Sequence, residues 1–373
     1  MNMINYECKM QKIKLKTNLL NFDLQSMKKF FCSIGELEFR AQQVMKWIYQ
    51  HYCDDFNKMT NISLQLRKKL STLCCITPPK FLNHKVSVDG TMKWSVVIGN
   101  QCIETVCIPK NQRTTLCISS QLGCSLACSF CLTGQQGFNK NLNVSEIIGQ
   151  VWYIQKLIYF SKINITNKIT NVVLMGMGEP LLNLSNVVHA LRIMLDEFGL
   201  NMSKNHITLS TAGIVPALKK LHTMIDVSLA VSLHASNNTI RNQLMPINKK
   251  YNIESVLCAI KKYLYYSNAN KKRVTIEYVM LSGINDAAYH AEELFNLLKS
   301  IPHKINLIPW NHFSGSNYIC SNDITINNFA NILIKKGCIV TIRKIRGYDI
   351  NAACGQLSGI VFDRKFNKIN CIS

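Results

Sequence analysis

Apolar and polar residues along this chain fall into two different rhythms. Up to about residue 80 the rhythm is helical. In Leu37–Tyr49 the apolar positions Val44, Trp47 and Ile48 recur at helical spacing, and Ser63–Leu70 reads as a short helix, basic on one side. Pro78-Pro79 ends this part. A period of two follows. Lys85–Val88 and Met92–Ile98 flank Asp89-Gly90, a hairpin signal, and Cys102–Ile108 makes a third strand that Pro109 is expected to close. From about residue 113 strands alternate with helices. The strands read at 114–119, 170–175, 206–210, 226–233, 273–280, 304–308 and 338–343. The helices between them centre on 145–160, 185–198, 215–222, 252–266, 286–300 and 325–336. Ile147, Ile148, Val151, Ile154, Leu157 and Ile158 give the first of these a buried face. Such alternation predicts an α/β fold, a parallel sheet with helical crossovers, whose chemistry sits at the C-terminal ends of strands. The expected organisation is a helical part over 1–80, an antiparallel β extension over 81–112, the alternating unit over 113–345 and a C-terminal loop segment over 346–373.

Composition narrows the class. The 373 residues are 47% hydrophobic, and none of the apolar runs reaches the roughly 18 residues of a membrane helix. Met1–Lys9 lacks the apolar centre of a signal peptide. Sixteen cysteines without regular spacing do not form a secreted disulfide framework, so a reduced, cytoplasmic protein is expected, with no membrane partner. The net charge of +22 calls for a polyanion, nucleic acid by default. Abundant Lys, Asn and Ile leave a compositional bias as the alternative source of that charge.

The densest chemistry lies at Cys124-Ser-Leu-Ala-Cys128-Ser-Phe-Cys131, directly after the strand at 114–119. Structural zinc is closed by four ligands, and Leu132–Gln136 offer no fourth. Three thiolates can instead hold three irons of a 4Fe–4S cube and leave one iron open. The motif resembles that of radical S-adenosylmethionine (SAM) enzymes; a zinc knuckle is the competing reading. Met175–Pro180 follows the next strand, with Gly176 and Gly178 allowing close backbone approach to a ligand and Glu179 offering an acceptor for an ammonium group. An ordinary glycine turn would look the same. Ser210 and the run Ser232-Leu233-His234 end the next two strands, where they either bind a ribose or carboxylate or cap the following helices. Asn311, after Ile308-Pro309-Trp310, is placed to read an adenine edge. Cys117 and Cys354 stand apart, either functional or simply buried.

Gln121–Cys131, Gln135–Leu142, Met175–Pro180 and Ala352–Leu357 together resemble the RlmN family, bacterial dual-specificity radical SAM methyltransferases, from about residue 20 to 360. His312 and Ser314 stand where that family commonly has prolines, and Leu132 replaces a small polar residue. The resemblance implies a partial (β/α)6-type radical SAM barrel with a small helical N-terminal domain. It implies methylation of carbon-2 of an adenosine in the peptidyl-transferase region of 23S rRNA and of adenosine 37 in some tRNAs. By the same resemblance, Cys124, Cys128 and Cys131 ligate one 4Fe–4S cluster. Gly178, Glu179, Ser210, Ser232, Leu233, His234 and Asn311 hold SAM. Cys354 is methylated by a first SAM, a second SAM generates the radical, Glu104 takes the carbon-2 proton, and Cys117 releases the product by pairing with Cys354. Read from its own context, Glu104 is equally a solvated glutamate on an edge strand. The target base must be extruded from its stack, which favours loop RNA, and the basic residues Arg67-Lys68-Lys69 are candidates to hold the backbone. A flavodoxin-type electron donor and a monomeric state are further expectations. The rival readings are a carbon-8 methyltransferase of the Cfr type and a non-catalytic metal-bearing RNA-binding protein.

Overall fold

The computed structural model describes residues 16–360 apart from 164, 166 and 167. The expectations for Met1–Lys9, and for 361–373 at the chain end, lie outside the described residues. The helical part contains α1 (Leu24–Ser33), α2 (Phe39–Tyr49) and α3 (Leu64–Leu73), closed by the parallel pair β1 (Thr17–Asn18) and β2 (Cys74–Cys75). Asp23 and Ser63 cap α1 and α3 by accepting from the backbone N–H three residues on. The buried stripe of α2 is Ala41, Val44, Met45, Ile48 and Tyr49. Trp47, expected in that stripe, sits half-exposed beside it, because its indole N–H donates to Asn61 Oδ1.

One ten-stranded sheet forms the rest. Its antiparallel part is β3 (Lys80–Val86), β4 (Met92–Ile98), β5 (Gln101–Lys110) and β6 (Arg113–Cys117). Its parallel part runs from β6 through β9 (Asn171–Leu174), β10 (Ile207–Thr211), β11 (Ser228–Ser232), β12 (Val274–Met280) and β13 (His303–Pro309) to the short β14 (Val340–Ile342). The β extension is therefore continuous with the barrel sheet, sharing β6. Two strand ends differ from expectation. β3 begins five residues early, and β5 passes through Pro109, which pairs in register with Thr114. The missing N–H of Pro109 does no harm there, since Thr114 O accepts from Thr170 N–H instead.

A ribbon of β7 (Gln121–Gly123) and β8 (Phe138–Asn141), with the single turn α4 (Leu132–Gln135) between them, carries the cysteine loop. The crossover helices are α5 (Val144–Tyr159), α6 (Leu184–Leu195), α7 (Val215–Met224), α9 (Ile253–Tyr266), α10 (Ala288–Leu298) and α11 (Asp323–Lys335), with α8 (Asn238–Leu244) as an unforeseen extra turn after β11. An Asn143/Glu146 capping box starts α5. The expected face of α5 is buried at Ile147, Ile148, Val151 and Ile154, while Leu157 and Ile158 are half-buried. Trp152 on the same helix donates its indole N–H to Ile48 O and locks the helical part onto the barrel.

Candidate active site

The cysteine loop owes its position to backbone pairing. Cys124 N–H donates to Gly137 O, Ser129 N–H to Leu244 O, and Leu132 N–H to Gly355 O. The loop thus touches its own ribbon, the α8 region and the segment carrying Cys354. Cys124, Cys128 and Cys131 line a cavity of about 170 Å³ at the C-terminal ends of the strands. Burial pushes the Cys124 thiol up to about 12 and raises Cys128 and Cys131 as well; repulsion from Cys131 adds at Cys124 and Cys128, and repulsion from Cys354 adds at Cys131. Three buried thiols of this kind become thiolates only when bound cations supply compensating charge. They do not close on one point: among the described residues no three His, Cys, Asp or Glu side chains converge to hold a single metal ion. Three soft thiols lining one cavity are a donor set that would suit three corners of an iron–sulfur body.

The glycine turn differs from its expected role. A Cβ on Gly176 would lie 2.7 Å from Ile118 O, and one on Gly178 would lie 2.4 Å from Gln121 Cβ. Both glycines are required because the turn packs onto the neighbouring protein strand, and Gly178 adds a φ of +95°. The turn delivers Glu179 to the cavity. Its backbone N–H donates to Gln121 Oε1, and its carboxylate accepts from Thr211 Oγ1, Ala212 N–H and Leu181 N–H. Burial raises this carboxyl, while those donors oppose the rise. Thr211, which the sequence did not mark, is what couples Glu179 to β10.

Ser210, Ser232, His234 and Asn311 line the same cavity. Leu233 does not; its side chain is fully buried in the core and only its backbone serves the site, donating to Glu277 O and accepting from Arg241. Arg241, also unmarked in the sequence, is completely buried and donates to the carbonyls of Ala212, Ser232 and Leu233. One guanidinium therefore fixes the C-terminal ends of β10 and β11 relative to each other. His234 adopts a φ of +59° and accepts Val279 N–H at Nδ1. Burial, with repulsion from Arg241, depresses it to about 3. It is a neutral ring with Nε2 as its N–H, a donor rather than a base. Asn311 donates through Nδ2 to Cys354 O, while its buried Oδ1 has no partner among the described residues. An amino group such as that of adenine would satisfy it.

Cys354 lines the same cavity as Cys124, Cys128 and Cys131, near enough to Cys131 to raise that thiol. Cys117, at the end of β6, is buried just outside the lining; burial and the nearby Cys354 push it up to about 12. The thiols are free, as are all cysteines among the described residues. Arg343 faces Cys354, Glu277 and Cys117, and these three groups favour its charged form. It can thereby stabilise a thiolate on either cysteine. Glu104 is not on an edge and not solvated. β5 lies between β4 and β6, and the carboxylate is buried, 2.8 Å from Lys93 Nζ and accepting Ser358 N–H at 3.0 Å. It does not line the thiol cavity; it braces the segment that carries Cys354.

A second basin of about 760 Å³ is lined by Lys110, Arg113, Lys304, Lys344 and Arg346. It shares Met175, Glu277 and Arg343 with the thiol cavity. The basic segment singled out near residue 67 is largely occupied. Arg67 donates to the carbonyls of Ile62, Asn57 and Thr60, and Lys69 binds Ile34 O and Glu36.

Residues 17–76 match the family model described as Ribosomal RNA large subunit methyltransferase N-terminal domain, and residues 118–295 match that of the Radical SAM superfamily. The chain is 60% identical to a dual-specificity RNA methyltransferase RlmN of Buchnera aphidicola over 93% of its length and 95% of that relative. A radical SAM methyltransferase from Sphaerobacter thermophilus superimposes with a TM-score of 0.83 at 36% identity, covering 91% of this chain and 99% of that one. With the thiol loop, the glycine turn and Cys354 meeting in one cavity, these likenesses make the chain a member of the RlmN family of radical SAM RNA methyltransferases.

Proposed function

We propose that this enzyme methylates carbon-2 of an adenosine in the peptidyl-transferase region of 23S rRNA and of adenosine 37 in a subset of tRNAs. The observation that carries the reading is the placement of Cys354 in the same cavity as Cys124, Cys128 and Cys131, with Cys117 beside it. Cys124, Cys128 and Cys131 would hold one 4Fe–4S cluster. Glu179, Ser210, Ser232, His234 and Asn311 would hold SAM, with Gly178 shaping the turn and Leu233 contributing only backbone. When bound, the cluster and SAM supply a methyl group and a hydrogen-abstracting 5′-deoxyadenosyl radical.

Carbon-2 of adenine is electron-poor, so direct methyl displacement on it fails. Cys354 solves this by first becoming an S-methylcysteine. Loss of a hydrogen atom leaves a carbon radical on its sulfur, which adds to carbon-2 and joins protein to RNA. The adduct then gives up one electron to a one-electron acceptor, a role the bound cluster would serve, and the carbon-2 proton to Glu104. Cys117 attacks the sulfur of Cys354, the sulfur–carbon bond breaks, and its electron pair stays on the new methyl carbon, which takes up a proton. The resulting Cys117–Cys354 disulfide needs an external dithiol reductant before the next cycle.

The division into a helical RNA-binding part over 1–80, a β extension over 81–112, a barrel over 113–345 and a Cys354-bearing segment over 346–373 belongs to the same reading. So do a flavodoxin-type electron donor, a monomeric enzyme and a cytoplasmic site of action. No helix among the described residues is long and apolar enough to cross a membrane. Nucleoside mass spectrometry of RNA from cells with and without the protein tests the function. Loss of 2-methyladenosine is expected; loss of 8-methyladenosine instead would assign the carbon-8 reaction.

A further inference from the structure

The segment from Gly347 to Ile360 is a strap held at both ends and in the middle. Its first end is tied to the β3–β4 hairpin, where Gly347 N–H donates to Asp89 Oδ2 and Asp349 accepts from Ser87 Oγ and Val88 N–H. Its far end pairs with β5 through Cys102 and Ile360. Gln356 donates to His312 O, and Leu357 O accepts from Thr133. These anchors, with the bonds from Asn311 Nδ2 to Cys354 O and from Leu132 N–H to Gly355 O at the centre of the strap, are either neutral or remote from the chemistry.

The remaining anchor is different. Lys93 Nζ bridges Glu104 Oε1 at 2.8 Å and Asn351 O at 3.0 Å, while Glu104 Oε2 accepts Ser358 N–H at 3.0 Å. One ion pair thus grips the strap three residues before Cys354 and four residues after it. Only 9% and 8% of the two side chains is exposed, so little solvent screens the pair. Among the described residues, Lys93 on β4 and the thiol of Cys102 on β5 are the titratable groups that face Glu104; burial, with Glu104 adding, holds that thiol up.

We propose that the Lys93–Glu104 pair is the latch of the Cys354 strap: Lys93 is a positioning residue that holds Cys354 over the cluster side of the cavity while Glu104 is charged, and neutralisation of Glu104 releases the strap. The catalytic consequence rests on Glu104 being the proton acceptor proposed above. A proton from carbon-2 then arrives at the carboxylate just when Cys354 must leave its bonding position and turn to Cys117. A neutral carboxyl still accepts from Ser358 N–H, but more weakly. It also leaves Lys93 as a buried charge with one carbonyl for company, a state that favours its moving away. The order of chemical steps would thereby be coupled to strap position through one charge.

The test is hydrogen exchange of the cluster-loaded enzyme without RNA, read peptide by peptide, on wild type, Lys93→Met, Glu104→Gln and the double variant. Each single variant is expected to raise exchange of amides 351–358 at least about tenfold, with the strands β9–β13 unchanged. The double variant should exchange no faster than the worse single, because the unpaired charge is gone. In Lys93→Met, formation of S-methyl Cys354 should fall at least about tenfold while reductive SAM cleavage stays within about twofold, since only the former needs the strap in place. Unchanged exchange in 351–358, or a rise spread evenly over the whole chain, overturns the latch. Should Lys93→Met not fold, the isosteric Glu104→Gln gives the same local reading. None of these measurements depends on which adenine carbon is methylated, so a failure here is distinct from a failure of the carbon-2 assignment.

Discussion

Cys117 and Cys354 have the same side chain and sit together, yet the proposed cycle uses them at opposite ends. Cys354→Ala should lack the S-methyl mark and transfer nothing. Cys117→Ala should carry methylated Cys354, cleave SAM and stall with RNA bonded to protein through Cys354. That species should survive a denaturing gel and vanish on RNase treatment, leaving a mass-shifted Cys354 peptide. Normal turnover of Cys117→Ala without an adduct would remove its resolving role. Cys117 is buried and its thiol is raised to about 12, so its activation depends on a nearby cation, and Arg343 is the one in place. His234 supplies a prediction on pH. In the fold it titrates at about 3 against an ordinary 6.5. The unfolded chain therefore takes up a proton below pH 6.5 that the folded chain refuses. The stability tied to a neutral His234 is complete above pH 6.5 and declines as pH falls from 6.5 towards 3, by up to about 1.4 kcal/mol per pH unit. Glu179 and Glu277, both raised by burial, act in the opposite sense as pH falls. Denaturant midpoints between pH 7 and 5 for wild type and His234→Gln isolate the histidine: the variant should show the flatter loss, and parallel curves would refute the assignment.

The cysteine loop, the glycine turn and the strap are short elements whose shapes are set by what they pack against. Gly178→Ala probes the turn. Its Cβ would meet Gln121 Cβ at 2.4 Å, and its φ of +95° suits only glycine. The turn must shift at a strain of about 1–3 kcal/mol, dragging Glu179 from Thr211 and Ala212. SAM affinity of the reconstituted enzyme, measured by equilibrium binding, should fall at least about tenfold, whereas an unchanged affinity would mean that Glu179 does not hold the cofactor. Much at this scale was legible in sequence. The spacing of Cys124, Cys128 and Cys131 keeps three thiols on one short loop, and all three line one cavity. The turn at Gly176–Pro180 was visible too, though the reason for its glycines was not: what crowds them is Ile118 and Gln121, nearly sixty residues earlier. Pro109 misled for a similar reason, since whether a proline ends a strand depends on what serves the carbonyls of its partner strand. The helix face of α5 was readable because its period is local, and Trp47 was misplaced because its indole found Asn61 outside that period.

Across the whole molecule the excess of 43 basic over 21 acidic residues predicts RNA binding that weakens steeply with salt. The structure moves the expected footprint. Arg67 and Lys69 are spent on carbonyls and Glu36, so Arg67→Gln should lower stability without changing the salt slope. Lys304, Lys344 and Arg346 line the basin that joins the thiol cavity. Replacing each with Gln should reduce the slope of log affinity against log salt by about one; unaltered slopes would place the RNA elsewhere. By itself the chain's sequence determined the α/β alternation, the position of the three-cysteine loop and the call for a polyanionic partner, because periodicity, motif spacing and net charge are properties of neighbouring residues or of the sum. Only the tertiary structure decided that Glu104 is buried against Lys93 and Ser358, that Arg241 ties β10 to β11, that Arg343 faces both outlying thiols and that Leu233 turns away from the cavity. Those are contacts between strands and loops far apart in the chain, some by more than 200 residues. Their energies come from burial and charge pairing that exist only once the sheet has closed.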